Sequence, residues 1–171
     1  MKNFIPDMYQ KNISSINYEK LKKRGIKVLL FDLDNTIIER DNYKLSAQTK
    51  NLFLKLNKDF MIYIISNSFN FEKLENISKK LNISYIGGSM KPLSKGYKKL
   101  KFKSIKNNQI AMIGDQLLTD VWGAKRMGYM AILTDPIKEE KDMILTKINR
   151  FIEKLIFNNK KNNLERGHYY D

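Results

Sequence analysis

Cysteine is absent from the 171 residues, which excludes disulfides and thiolate metal sites and fits a reducing cytosol. No apolar run approaches the roughly 20 residues needed to cross a bilayer, so no spanning helix is expected. The start, Met1-Lys2-Asn3-Phe4-Ile5-Pro6, carries one lysine but lacks the apolar stretch of a secretory leader. Histidine occurs once, as His168 in a polar tail, and is no candidate for catalysis. Gly87-Gly88 lacks the spacing of a dinucleotide fingerprint, and no Gly-Lys-Ser/Thr P-loop occurs.

Acidic residues are the minority: 18 Asp and Glu against 32 Lys and Arg leave a net charge of +14. Such a balance favours anionic partners, whether phosphorylated substrates, nucleic acid or an anionic membrane face. Lys and Asn are spread over helix faces and tail alike, so a general compositional drift accounts for the charge as well as a dedicated patch does. The apolar share of 42% supports a folded globule, and the length suits one domain with a real core.

Five short apolar runs read as strands: Val28–Phe31, Phe60–Ile65, Ile83–Ile86, Ile110–Ile113 and Met130–Leu133. Their unbroken apolar character suits strands buried on both faces of a parallel sheet. Helical patterns lie between them. Ser46 caps one with Leu52, Phe53 and Leu56, and Asn70 caps one with Leu74, Ile77 and Leu81. Another follows Ser94 towards Tyr97, Leu100 and Lys101. A further one runs from Leu117 through Val121 and Trp122 to a stop at Gly128. The alternation predicts a single doubly wound, Rossmann-like α/β domain over 1–157, with a mostly parallel five-stranded sheet and helices on both faces. Residues 1–25 form a lead with a helix ending before Gly25, placed to cover a sheet edge. Residues 141–157 form a basic amphipathic helix, and 158–171 read as a disordered tail.

The acids are few but grouped. Asp32 follows the first of these strands, Ser66 the second, Lys91 the third and Asp115 the fourth. In a parallel sheet these four ends face one crevice, where open α/β sheets bind ligands. Clustered carboxylates need a cation or a proton to coexist, and a hard, oxygen-preferring ion such as Mg2+ is the natural guest. The chemistry that fits is phosphoryl transfer. Asp32 can attack phosphorus as a carboxylate nucleophile, and Asp34 can protonate the leaving alkoxide and then take a proton from water. Asp32 and Asp115 can hold the metal, with a backbone carbonyl near Asp34 as a third ligand, while Asp120 is placed to bind metal-held water or to orient the Lys91 ammonium. Lys91 compensates charge, and Ser66 and Asn67 donate to phosphoryl oxygens.

The segments DLDNT, ISNS, KP and GDQLLTD resemble the four motifs of haloacid dehalogenase-like phosphatases. The lead ending in Gly-Ile-Lys, the two acidic loops and the basic C-terminal helix are closer still to the YqeG-type, subclass IIIA group. That group resembles the phosphatidylglycerophosphate phosphatases. The resemblance covers roughly Ile5 to Leu155 and implies a Mg2+-dependent phosphomonoester hydrolase. It implies catalytic roles for Asp32, Asp34 and Lys91, substrate contacts from Thr36, Ser66, Asn67 and Lys91, and metal contacts from Asp32, Asp34, Asp115 and Asp120. It also implies phosphatidylglycerophosphate as substrate, at the cytoplasmic membrane face.

Only Ile37 to Leu45 separate the first motif from the next helix, and Asn67 to Lys91 hold one helix and one strand, so neither gap can carry a cap domain. An open site admits a phosphate presented on a membrane, protein or nucleic acid, and encloses a small sugar phosphate poorly. In the last helix Ile144, Ile148, Phe151, Ile152, Leu155 and Ile156 form an apolar face beside Lys147, Arg150 and Lys154. Each such cation contributes about 1 kcal/mol at an anionic leaflet. Phe4, Ile5, Met8 and Tyr9 offer an apolar foothold. Packing of the helix on the sheet is the alternative. Three other functions stay open: a phosphatase of soluble nucleotides, sugar phosphates or phosphoproteins, a receiver-like phosphoacceptor module, and a nucleic-acid-binding protein supported by charge alone.

Overall fold

The structure is a computed structural model that describes residues 4–138. Its strands are Met8–Gln10 (β1), Val28–Phe31 (β2), Met61–Ile65 (β3), Ser84–Ile86 (β4), Ile110–Gly114 (β5) and Met130–Thr134 (β6). They form one sheet in the order β1-β6-β5-β2-β3-β4, and every pair is parallel. The sheet therefore has six strands where the apolar runs predict five. The added strand, β1, lies in the N-terminal lead. Three residues carry too little pattern to read as a strand. β1 forms because β6 offers an open edge, with Met8 opposite Ile132 and Gln10 opposite Thr134. Asp7 helps to fix this docking: its backbone N–H donates to the Ala131 carbonyl, and its carboxylate accepts from the Ala131 N–H. The predicted helix before Gly25 is present as Tyr18–Lys23 (α1), and the chain turns out of it at Gly25 with φ +83°.

Side chains alternate across β2, so Leu29 and Phe31 enter one core and Val28 and Leu30 the other. Ala47–Leu56 (α2) and Phe71–Leu81 (α3) cover the first face with Phe53, Leu74 and Ile77. Both begin at the predicted caps, where Ser46 accepts from the Thr49 N–H and Asn70 from the Lys73 N–H. The second face is covered by the short helix Ser94–Tyr97 (α4), a π-helical turn over Leu117–Val121, and Trp122–Arg126 (α5). The helix at Ser94 stops at Tyr97, before Leu100. Trp122 packs: its ring stacks on Phe4 at 5.2 Å and takes the Arg126 guanidinium at 5.1 Å.

One further sequence reading changes, and another is left untested. Met8 and Tyr9 are buried in and beside β1, so they offer no foothold on a membrane. The helix expected over 141–157 and the tail over 158–171, with His168, lie outside the described residues. Among the described residues no cap domain is present: residues 39–46 link the first motif to α2, and α3 and β4 fill the interval before Lys91. No helix there is long and apolar enough to cross a membrane.

Tyr18 ties the lead to the core. Its buried hydroxyl donates to the Ile13 carbonyl at 2.8 Å, and burial pushes its pKa well above the ordinary 10.0. Burial raises Tyr97 in the same way. An acid raised on folding stabilises fully below its unfolded pKa and loses that contribution as pH climbs past it. Denaturant midpoints should thus hold up to about pH 10 and fall above it. Tyr18→Phe should start about 1 kcal/mol lower, because the Ile13 carbonyl loses its donor. The Phe variant should then fall less steeply with alkali. A parallel decline in both proteins would remove Tyr18 from the alkaline transition.

Candidate active site

The register of the three central strands builds the site. Phe31 lies opposite Ile113 on one side and Ile64 on the other, so Asp32, Asp115 and Ser66 leave the sheet at nearly one level. From β2 the strands are laid down outwards in both directions, β3 and β4 to one side and β5 and β6 to the other, which makes β2 the switch point where such sheets open a crevice. Asp32, Asp115 and Asp120 each offer a carboxylate oxygen within 4.8 Å of the others. Asp120 comes from the π-helical turn. Its close seat against β5 requires Gly114, where a Cβ would overlap the Asp120 carboxylate.

Lys91 is buried among these acids, 2.6 Å from Asp32 Oδ1 and 2.7 Å from Asp120 Oδ1. Burial alone would lower the ammonium pKa, but Asp120 and Asp32 outweigh it and hold Lys91 above the ordinary lysine range. Asp32 shows the opposite balance. Burial pushes it up to about 8, Asp120 and Asp115 add to the rise, and Lys91 opposes them. The pocket therefore holds more negative charge than one ammonium neutralises. All its ligand atoms are hard oxygens, which fits a divalent cation such as Mg2+.

The remaining predicted residues divide. Thr36 turns its hydroxyl to Asp115 Oδ1 at 3.3 Å. Ser66 is buried, and its Oγ accepts from the Ser68 N–H, so the hydroxyl hydrogen is left to donate elsewhere. Asn67 engages the Lys91 loop: its Oδ1 accepts from Ser89 Oγ and the Lys91 N–H, and one of its two Nδ2 hydrogens goes to the Lys91 carbonyl. That geometry makes Asn67 a brace for Lys91. Asp120 has one oxygen on Lys91 and the other on the Gln116 N–H. Asp34 stands outside the acidic triad, and its Oδ1 pairs with Lys73 Nζ at 2.7 Å.

Sequence reasoning missed Lys73. Its ammonium is buried and also donates to the carbonyls of Glu39 and Arg40, so it binds the loop after the first motif to α3. The signal was its spacing: Lys73, Ile77 and Leu81 share one stripe of α3, and a lysine in a core-facing stripe needs a buried partner. The loop itself folds tightly, with the N–H groups of Thr36, Ile37 and Ile38 all donating to the Leu33 carbonyl and Asn35 at φ +66°.

Comparison with known proteins agrees with this arrangement. Residues 1–138 match the family described as Mitochondrial PGP phosphatase. The "Probable phosphatase YqeG" of Bacillus subtilis (strain 168) is 36% identical over 157 residues, spanning 91% of this chain and 90% of that protein. A chloroplastic/mitochondrial phosphatidylglycerophosphate phosphatase 1 of Arabidopsis thaliana is 23% identical over 85% of this chain and 45% of its own length. Among solved structures, the magnesium-bound HAD-hydrolase YfnB of Bacillus subtilis superposes with a TM-score of 0.55 at 13% identity, covering 67% of this chain and 91% of that one. A HAD phosphatase of Thermococcus onnurineus gives 0.50 at 16% identity, covering 77% and 98%. The chain thus belongs to the PGP phosphatase family of haloacid dehalogenase-like phosphatases, which are phosphoric monoester hydrolases.

Proposed function

We propose that this protein hydrolyses a phosphomonoester through an aspartyl phosphate on Asp32, with Mg2+ as cofactor and phosphatidylglycerophosphate as substrate. The carrying observation is the convergence of Asp32, Asp115, Asp120 and Lys91 at one set of strand ends. Asp32, Asp115 and Asp120 would hold the cation, with the backbone carbonyl of Asp34. When bound, it would offset repulsion between the carboxylates and an anionic phosphoryl group.

An Asp32 oxygen attacks phosphorus while the bond to the leaving oxygen breaks. Asp34 gives that oxygen its proton. Water then attacks the acyl phosphate, Asp34 takes a proton back, and the bond between phosphorus and Asp32 breaks to release phosphate. Lys91 holds Asp32 in place and balances charge. Thr36 orients Asp115, and the Ser66 hydroxyl donates to a phosphoryl oxygen. Asn67 contributes by fixing the Lys91 loop. The lipid assignment is supported by the family match, the Arabidopsis relative's name, the net charge of +14 and the uncapped crevice. The same features support the reading of a peripheral enzyme at the cytoplasmic membrane face.

The test is phosphate release from phosphatidylglycerophosphate in mixed micelles beside soluble nucleotides, sugar phosphates and a phosphoprotein at matched concentrations. Preference for the lipid by orders of magnitude, lost on chelation and restored by Mg2+, is expected. Preference for a soluble ester sinks the lipid assignment and leaves the chemistry standing.

Lys73 makes a further prediction. If it positions Asp34 as the general acid, Lys73→Met should lower kcat/KM for an alkyl phosphate about a hundredfold. For p-nitrophenyl phosphate, whose leaving group needs no proton, the loss should be severalfold at most. Lys73→Arg should restore part of the alkyl activity. Equal losses on both esters would give Lys73 a structural role only.

A further inference from the structure

Eight large apolar side chains are exposed among the described residues, and six of them follow the carboxyl ends of strands: Tyr43, Phe69, Phe71, Met90, Leu93 and Ile137. That is the edge that opens the crevice. Single exposed apolar residues are ordinary, but these share one edge of the sheet, and Tyr43, Phe69 and Phe71 are joined through α3's first turn. Phe69, 72% exposed, meets Phe71 edge to face at 6.4 Å. Both rings lie on the Gly87-Gly88 backbone, where a Cβ at Gly87 would come within 2.8 Å of Phe71 Cε1 and one at Gly88 within 2.8 Å of Phe69 Cε1. The Tyr43 hydroxyl accepts from Asn70 Nδ2 at 2.9 Å, so the loop after the first motif joins the same ridge. Met90 precedes the catalytic Lys91 and shows its side chain from a left-handed backbone at φ +58°. On the other flank, the Ile137 N–H donates to the Asn35 carbonyl of the first motif.

We infer that this apolar ridge is a bilayer-docking surface, which seats the crevice mouth on an anionic lipid face. The inference rests on the phosphatase reading of the crevice and adds the partner that presents its substrate. An apolar patch beside an active site would otherwise be a solubility liability. Aromatic rings suit the boundary between headgroups and acyl chains. Charge favours lipid over an apolar protein partner: the chain carries +14, and the exposed Lys44 and Lys95 stand one residue after Tyr43 and two after Leu93. Once docked, the ridge rather than a cap would shield the crevice on the β3 and β4 side.

Sedimentation with vesicles of phosphatidylcholine mixed with phosphatidylglycerol tests the surface directly. Phe69→Ser and Leu93→Ser should each weaken vesicle binding about tenfold or more, leaving turnover of p-nitrophenyl phosphate unchanged. Phe69→Trp should show fluorescence quenched by lipids brominated in the acyl chain, beyond the quenching of the native Trp122. Absent quenching, or vesicle binding indifferent to both Ser variants, overturns the inference while soluble turnover still upholds the phosphatase. The reverse pattern, quenching without turnover of any phosphoester, keeps the docking surface and sinks the enzyme. A change in self-association with unaltered vesicle binding assigns the ridge to a second copy of the chain, and the inference fails.

Discussion

Asp32→Asn should abolish phosphate release, by about ten-thousand-fold or more, while the protein keeps its fold. The loss follows from chemistry: an amide oxygen cannot form the acyl phosphate, and the replacement of a nucleophile that works as one unit with its neighbours is rarely partial. Retention of the fold follows from the electrostatics of the crevice. Burial and the charges of Asp120 and Asp115 already push Asp32 up to about 8, so the neutral amide resembles the protonated carboxyl favoured near neutral pH in the absence of a cation. Lys91 retains Asp120 at 2.7 Å as its counter-ion, so no buried charge is stranded. The variant should melt at or slightly above the wild-type temperature. Phosphate release and intact-protein mass together decide the matter. Wild-type enzyme quenched during turnover should carry the mass of one added phosphoryl group, and the variant should not. Full release by Asp32→Asn would remove the nucleophile from the mechanism.

How much of this was readable before coordinates depends on where burial leaves a trace in the sequence. β2, β5 and β6 are buried on both faces, and an unbroken apolar run records that directly. So do the caps at Ser46 and Asn70, whose side chains satisfy backbone donors within a few residues. The joint placement of Asp32, Ser66, Lys91 and Asp115 was legible for the same reason, since a parallel sheet aligns strand ends without further instruction. Long-range choices left no such trace. β1 exists only because β6 has a free edge, and nothing within three residues announces it. The pairing of Asp34 with Lys73 spans 39 positions and depends on how α3 lies over the loop. Asn67 fits a phosphate donor by residue type, and only the backbone path of the Lys91 loop shows that its amide also braces that loop. The π-helical turn that brings Asp120 to Lys91 inserts one residue's worth of shift that no α-helical period predicts.

Lys91→Met should cost about 3–5 kcal/mol of stability as well as nearly all activity. The ammonium is almost completely buried and holds Asp32 and Asp120 together. Methionine is a flexible apolar chain one atom shorter, of similar volume, so the loss is mainly that of charge. Without the ammonium, three carboxylates within 4.8 Å of one another lose the positive charge set between Asp32 and Asp120, and they must take up protons or separate. The second substitution Asp120→Asn removes one of them and should make the double variant more stable than Lys91→Met alone, a coupling visible in a double-mutant cycle. Activity should stay lost in that double variant, because recovered stability does not replace the charge beside the nucleophile. Magnesium supplies a further discriminator. If the acids share one ion, the cation should raise the melting temperature of Lys91→Met more than that of wild type, since it fills both its own role and part of the missing ammonium's. Thermal melts with and without magnesium, run beside phosphate release, read all of these. An unchanged midpoint in Lys91→Met, with no added response to magnesium, would mean that Asp32, Asp115 and Asp120 do not act as one electrostatic site.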